Sequence, residues 1–121
     1  MLILGERLAE QHQVAAILVK DGWSVQVYTS PYDVLALPGF SPVPDLFIVD
    51  LNVTGISGLE MCRWLKQGSE TSEVPVLLLA MSPDLKALAL DTPADRVVNL
   101  PFTTDRLLEA VRDVLVVNYE S

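Results

Sequence analysis

The chain has 121 residues, with 8 Lys and Arg against 16 Asp and Glu, a formal net charge of -8 and a hydrophobic share of 50%. That length is one domain with one core, and that apolar share excludes intrinsic disorder in spite of the acidity. The acidic balance excludes charge-driven binding to nucleic acid or to an anionic membrane, because both repel it. A lone cysteine, Cys62, allows neither an internal disulfide nor a multi-cysteine metal site, which fits a reducing cytoplasm. The stretch Met1-Leu-Ile-Leu-Gly has no basic n-region and no long apolar run, so neither a signal peptide nor a membrane span is expected.

Met1–Leu4 is a short continuous apolar run, as in a strand buried on both faces. From Leu8 to Lys20 the period is helical, with Leu8, Val14, Ala15, Leu18 and Val19 placed for one stripe and Gly22 to end it. Trp23–Thr29 alternates as a second strand. Ser30 and Pro31 supply the N-cap and first-turn proline of a short helix to about Leu37, and Pro38-Gly39 stops it. Leu46–Val49 is the strongest buried-strand signal, closed by Asp50. Residues 51–58 then form a loop in which Gly55 and Gly58 permit unusual dihedrals. Leu59–Lys66 returns to helical spacing with Leu59, Cys62 and Leu65 inward. Val74–Leu79 is a fourth strand, Leu85–Leu90 a short apolar helix and Arg96–Leu100 a fifth strand. Thr103 or Thr104 caps a last helix running to Val117. Five strands alternating with five helices predict parallel strands joined by right-handed crossovers. The expected fold is α/β: a three-layer α/β/α, doubly wound, flavodoxin-like parallel sheet of order 2-1-3-4-5, spanning residues 1–121 as one domain.

In such a sheet, ligands gather at the carboxyl ends of the strands, where the strand order reverses. Those ends read Gly5-Glu6, Asp50, Ala80 and Leu100-Pro101. With strands one and three adjacent, Glu6 and Asp50 face one crevice. Two carboxylates in one place raise a pKa unless something offsets them, and no Lys or Arg stands at a strand end. A divalent cation on oxygen ligands, a shared proton and separation by water are the open solutions. So is a plain structural arrangement, in which Glu6 is solvated and Asp50 caps the following loop.

The segment Pro44-Asp-Leu-Phe-Ile-Val-Asp50-Leu-Asn-Val-Thr-Gly-Ile-Ser-Gly58-Leu-Glu resembles the phosphoacceptor region of response-regulator receiver domains, the CheY-like family. Leu59-Glu-Met-Cys-Arg-Trp-Leu-Lys66 is similar to that family's third helix, Pro75-Val-Leu-Leu-Leu79 to its fourth strand, and Pro101-Phe102 to its proline-aromatic pair. The resemblance implies that Asp50 is the phosphoacceptor and that Glu6, Asp50 and the carbonyl of Asn52 are the ligands of a weakly bound Mg²⁺. It also implies four substitutions. Gly5 stands for the first of two acids, and Ala80 for the Ser/Thr that bonds the phosphoryl group. Leu100 stands for the Lys that pairs with it, and Val97 for the aromatic that reports it. A charge-assisted hydrogen bond contributes about 1.5–3 kcal/mol, and losing one pre-organised donor slows a reaction by about 10²–10³. Together these changes predict a degenerate receiver whose phosphorylation switch is lost.

The expected function is therefore a phosphorylation-independent protein–protein interaction module in bacterial signal transduction, not an enzyme. Its partner would be another protein or a second copy, bound through the fourth helix, fifth strand and fifth helix. Leu85, Leu88, Leu90 and Val97 are the apolar candidates of that face, with Asp95, Arg96 and Arg106 as rim charges. The alternative is a working phosphoacceptor, phosphorylated on Asp50 with Mg²⁺ in a two-component phosphorelay. A flavin or nucleotide domain ranks third, since Gly5-Glu6-Arg7-Leu8 is no phosphate-cradling loop. His12, between Gln11 and Gln13, reads as solvated, Cys62 as a small core residue, Trp23 as a packing residue and Trp64 as exposed.

Overall fold

The structure, a computed structural model, describes residues 1–5, 8–40, 42–51, 57–80 and 93–120, with the side chains of 8, 9 and 116–120 left aside. In chain order the elements are β1 (Leu2–Leu4), α1 (Leu8–Lys20), β2 (Gln26–Tyr28), α2 (Pro31–Leu35), β3 (Phe47–Asp50), α3 (Gly58–Gln67), β4 (Val76–Ala80), β5 (Arg96–Asn99) and α4 (Thr104–Glu120). The helix expected at Leu85–Leu90 lies outside the described residues.

The strands form one parallel sheet, as the alternation of elements predicts, in the expected order β2-β1-β3-β4-β5. Alternate strand residues feed two cores because successive side chains point to opposite faces. Ile3, Ile48, Leu77, Leu79 and Val98 meet Val14 and Leu18 of α1 and Leu107, Ala110, Val111 and Val114 of α4. On the other face Leu2, Leu4, Phe47, Val49, Val76 and Leu78 meet Val34 of α2 and Met61, Cys62 and Leu65 of α3. The central strands β1, β3 and β4 are buried throughout, which is why their runs are continuously apolar.

Local chemistry sets the ends of these elements. At the end of α1, Gly22 takes a left-handed φ of 98°. Its N–H bonds Val19 O at 3.0 Å while Trp23 N–H bonds Leu18 O at 3.0 Å, the paired closure that glycine makes easy. Ser30 caps α2, its hydroxyl accepting from Tyr32 N. Of the two candidate caps for the last helix, Thr103 is the one used: its Oγ1 accepts from Arg106 N at 3.2 Å.

Two expectations need correction. β2 is Gln26–Tyr28, not Trp23–Thr29. It is an edge strand, and its one neighbour, β1, offers only three residues to pair with. Trp23 precedes the strand and packs half-buried against the α1/α4 core. Val19 does not join the inward stripe of α1 but is 57% exposed. It stands about 100° around the helix from Leu18, while Gln11, which shares the rotational position of Val14 and Leu18, is buried instead.

Candidate functional site

The carboxyl ends of the strands converge as the parallel register dictates. Leu4 pairs with Val49, so the next residues, Gly5 and Asp50, are neighbours across the β1–β3 seam. A Cβ placed on Gly5 would lie 3.2 Å from the Asp50 Cβ. Asp50 is only 3% exposed, and it pairs with Leu79 of β4 on its other side. The residue that the resemblance makes the phosphoacceptor is thus a buried carboxylate at the centre of the sheet's carboxyl edge. Glu6 and Asn52, the other expected metal ligands, lie outside the described residues.

The space where the resemblance places a first acid belongs to Gln11. This α1 side chain is 3% exposed. Its Nε2 donates to the carbonyls of Gly5 and of Tyr28, the latter at 3.1 Å, tying α1 to the ends of β1 and β2. A side chain at position 5 would meet Gln11 Nε2 at 3.0 Å and Cγ at 3.6 Å. Gln11 Oε1 is buried with no hydrogen-bond partner among the described residues. Sequence reasoning missed Gln11, flanked as it is by Glu10 and His12. Its spacing of three and seven residues from the buried Val14 and Leu18 is the signal that points inward.

Gly58 holds the other wall. The expectation that it supplies an unusual dihedral is not met, since only Gly22 and Gly39 have positive φ among the described residues. What it supplies is proximity: a Cβ there would lie 2.6 Å from both Asp50 O and Leu51 Cα. The first residue of α3 rests against the backbone that carries Asp50, with Gly58 N–H bonding Leu51 O at 3.1 Å. Ser57 caps α3 through Glu60 N at 3.2 Å. Gly55 lies outside the described residues.

The remaining strand ends are apolar. Ala80 is fully buried at the end of β4, and Leu100, 7% exposed, joins the α1/α4 core. Leu100 N–H bonds Ala80 O at 2.9 Å, so the two substituted positions stand side by side. Val97 is half-buried and packs on the α2/α3 side of the sheet. Arg106 is exposed on α4. The two line one groove of about 420 Å³ with Arg96, Asn99 and Glu109. Of the expected rim charges, Asp95 is bound by Lys66 at 2.7 Å and Arg96 by Asp113. Leu85, Leu88 and Leu90 lie outside the described residues. His12 and Trp64 are exposed and Cys62 is buried, as expected.

Of the ligands that the family resemblance implies for Mg²⁺, Asp50 alone lies among the described residues. Hard cations take several oxygen ligands, usually more than one of them anionic. Gly5, where the resemblance places a further acid, offers no side chain, and the atom nearest to that space is the Gln11 amide nitrogen. No group of three or more His, Cys, Asp or Glu able to hold a metal occurs among the described residues.

Residues 2–112 match the response regulator receiver domain, and the chain belongs to that family, whose members serve two-component signalling. The phosphate regulon transcriptional regulatory protein PhoB of Rhizobium meliloti (strain 1021) is 37% identical over 75 residues, 60% of this chain and 33% of that protein. The PhoB of Escherichia coli (strain K12) is 26% identical over 117 residues, 95% of this chain and 51% of that protein. The chain thus spans a third to a half of the length of these curated relatives. Among solved structures, the receiver domain of NtrX from Brucella abortus superposes with a TM-score of 0.83 at 22% identity, covering 94% of this chain and 96% of that one. The signal receiver domain of a signal transduction histidine kinase from Syntrophus aciditrophicus gives a TM-score of 0.81 at 25% identity, covering 95% and 88%. No helix among the described residues is long and apolar enough to cross a membrane.

Proposed function

We propose that this receiver domain works by docking to a protein partner or to a second copy of itself, without phosphorylation of Asp50 as its trigger. It is a binding module and not an enzyme. The observation that carries this reading is the apolar closure of the two strand ends beside Asp50. Ala80 is fully buried and Leu100 is packed into the core, so neither supplies a donor to a phosphoryl oxygen. Two missing donors cost about 10²–10³ each in rate, and half-buried Val97 offers no ring to swing. The docking face is the groove that Val97 of β5 lines together with Arg106 and Glu109 of α4.

Asp50 stands at the position that the resemblance makes the phosphoacceptor, so the competing reading is a working phosphoacceptor. Incubation with acetyl phosphate and Mg²⁺, followed by intact-mass measurement, separates the two. The expected result is an unmodified chain, and stoichiometric modification of Asp50 overturns the proposal. Sedimentation at micromolar concentration tests self-docking, for which we expect a concentration-dependent increase in mass that Arg106→Glu diminishes. A strict monomer confines the proposal to a heterologous partner.

A further inference from the structure

We infer that Gln11 is a plug that keeps divalent cations out of the pocket beside Asp50, and that Gly5 and Gln11 form one coupled pair. The inference rests on the reading above for its assignment of this pocket to the family's cation position, and it adds the residue responsible for the loss.

The atoms that fill the space of a side chain at position 5 are the Gln11 nitrogen, at 3.0 Å, and its Cγ, at 3.6 Å. Neither coordinates a hard cation, which takes oxygen. The amide cannot simply turn its oxygen inward, because both N–H groups of Nε2 are committed to the carbonyls of Gly5 and Tyr28. Rotation would set oxygen against oxygen at both. An acid restored at position 5 is therefore crowded by Gln11 on one side and by the Asp50 Cβ, at 3.2 Å, on the other.

The electrostatics agree with the sterics. Two adjacent carboxylates need a cation or a shared proton to coexist. Gly5 takes one acid away from the carboxyl edge that carries Asp50, and the neutral amide of Gln11 lies against the space that acid would fill.

The experiment follows amide signals of Gly5, Leu51 and Gly58 by NMR, with Mn²⁺ as a paramagnetic probe and Mg²⁺ as its competitor. The wild-type chain is expected to show no selective broadening at these amides. Gly5→Asp alone is expected to lower the melting temperature and gain little affinity. The double variant Gly5→Asp with Gln11→Ala is expected to bind Mg²⁺ at least about tenfold more tightly than wild type, as ligand charge increases. Selective broadening of the wild type overturns the inference, as does Gly5→Asp gaining as much alone as in the pair. Should the double variant fail to fold, Gln11→Ala decides: tighter binding than wild type supports the plug. Equal or weaker binding overturns it, weaker binding identifying the Gln11 oxygen as a ligand instead. Acetyl phosphate labelling of Asp50 is read separately, so failure of the plug and failure of the docking reading are told apart.

Discussion

Glycine at position 58 is a requirement of contact. Replacing it with alanine gains about 1 kcal/mol of helix propensity, yet the new Cβ would sit 2.6 Å from the Asp50 carbonyl oxygen and from Leu51 Cα. Backbone atoms have less freedom to give way than side-chain ends, and overpacking costs about 1–3 kcal/mol. The collision wins. Gly58→Ala is expected to be destabilised by up to about 2 kcal/mol in urea titration, a net of those two terms. An unchanged or raised midpoint would mean that the backbone after Asp50 yields freely. The position of Asp50, the apolar strand ends and the glycine were all legible in the sequence, because each sits in a short, strongly patterned segment. The reason for Gly58 was not legible, since close approach is a relation between two segments. Gln11 stayed hidden for the same cause: a polar residue in a polar neighbourhood becomes buried only when β1 and β2 bring their carbonyls to it.

The element scale adds a tie between layers. Asp95, just before β5, accepts from Val76 N at 2.7 Å and from Lys66 Nζ at 2.7 Å, while Lys66 also donates to Val74 O at 2.9 Å. One carboxylate thus joins the start of β4, the start of β5 and the end of α3. The two charged side chains are partly exposed, so their mutual attraction is worth little, about 0–1 kcal/mol. The backbone N–H of Val76, at the head of a buried strand, matters more: an unsatisfied buried donor costs about 1–3 kcal/mol. Asp95→Ala is therefore expected to destabilise more than Lys66→Met, by about 1 kcal/mol, in thermal or urea unfolding. Equal losses would assign the tie to the ion pair. Element boundaries follow the same pattern as the residues. α1 and α3 were legible to within a residue or so because periodicity marks both and Gly22 marks the end of α1. β2 was overextended because nothing in Trp23–Thr29 reveals how short its neighbour is.

For the whole molecule, the parallel sheet and its three layers followed from alternation, whereas the order of strands came with the family resemblance. Strand order together with right-handed crossovers decides which face each helix covers, and that sets the surroundings of Cys62. The thiol is fully buried under α3, among Leu2, Leu4, Phe47 and Val49, and it is the single cysteine of the chain. Its reaction with a soluble disulfide reagent is therefore a clock for the lifting of one layer from the sheet. For a domain of ordinary stability, at least about 5 kcal/mol, the globally open fraction is on the order of 10⁻⁴, and labelling in native buffer should be slower than in urea by a similar factor. Labelling faster than that would mean that α3 lifts while the rest holds. A partner seated on the β5–α4 groove should leave this rate nearly untouched, whereas one seated on α3 would nearly stop it, so a single sulfur atom can tell which side of the molecule is taken.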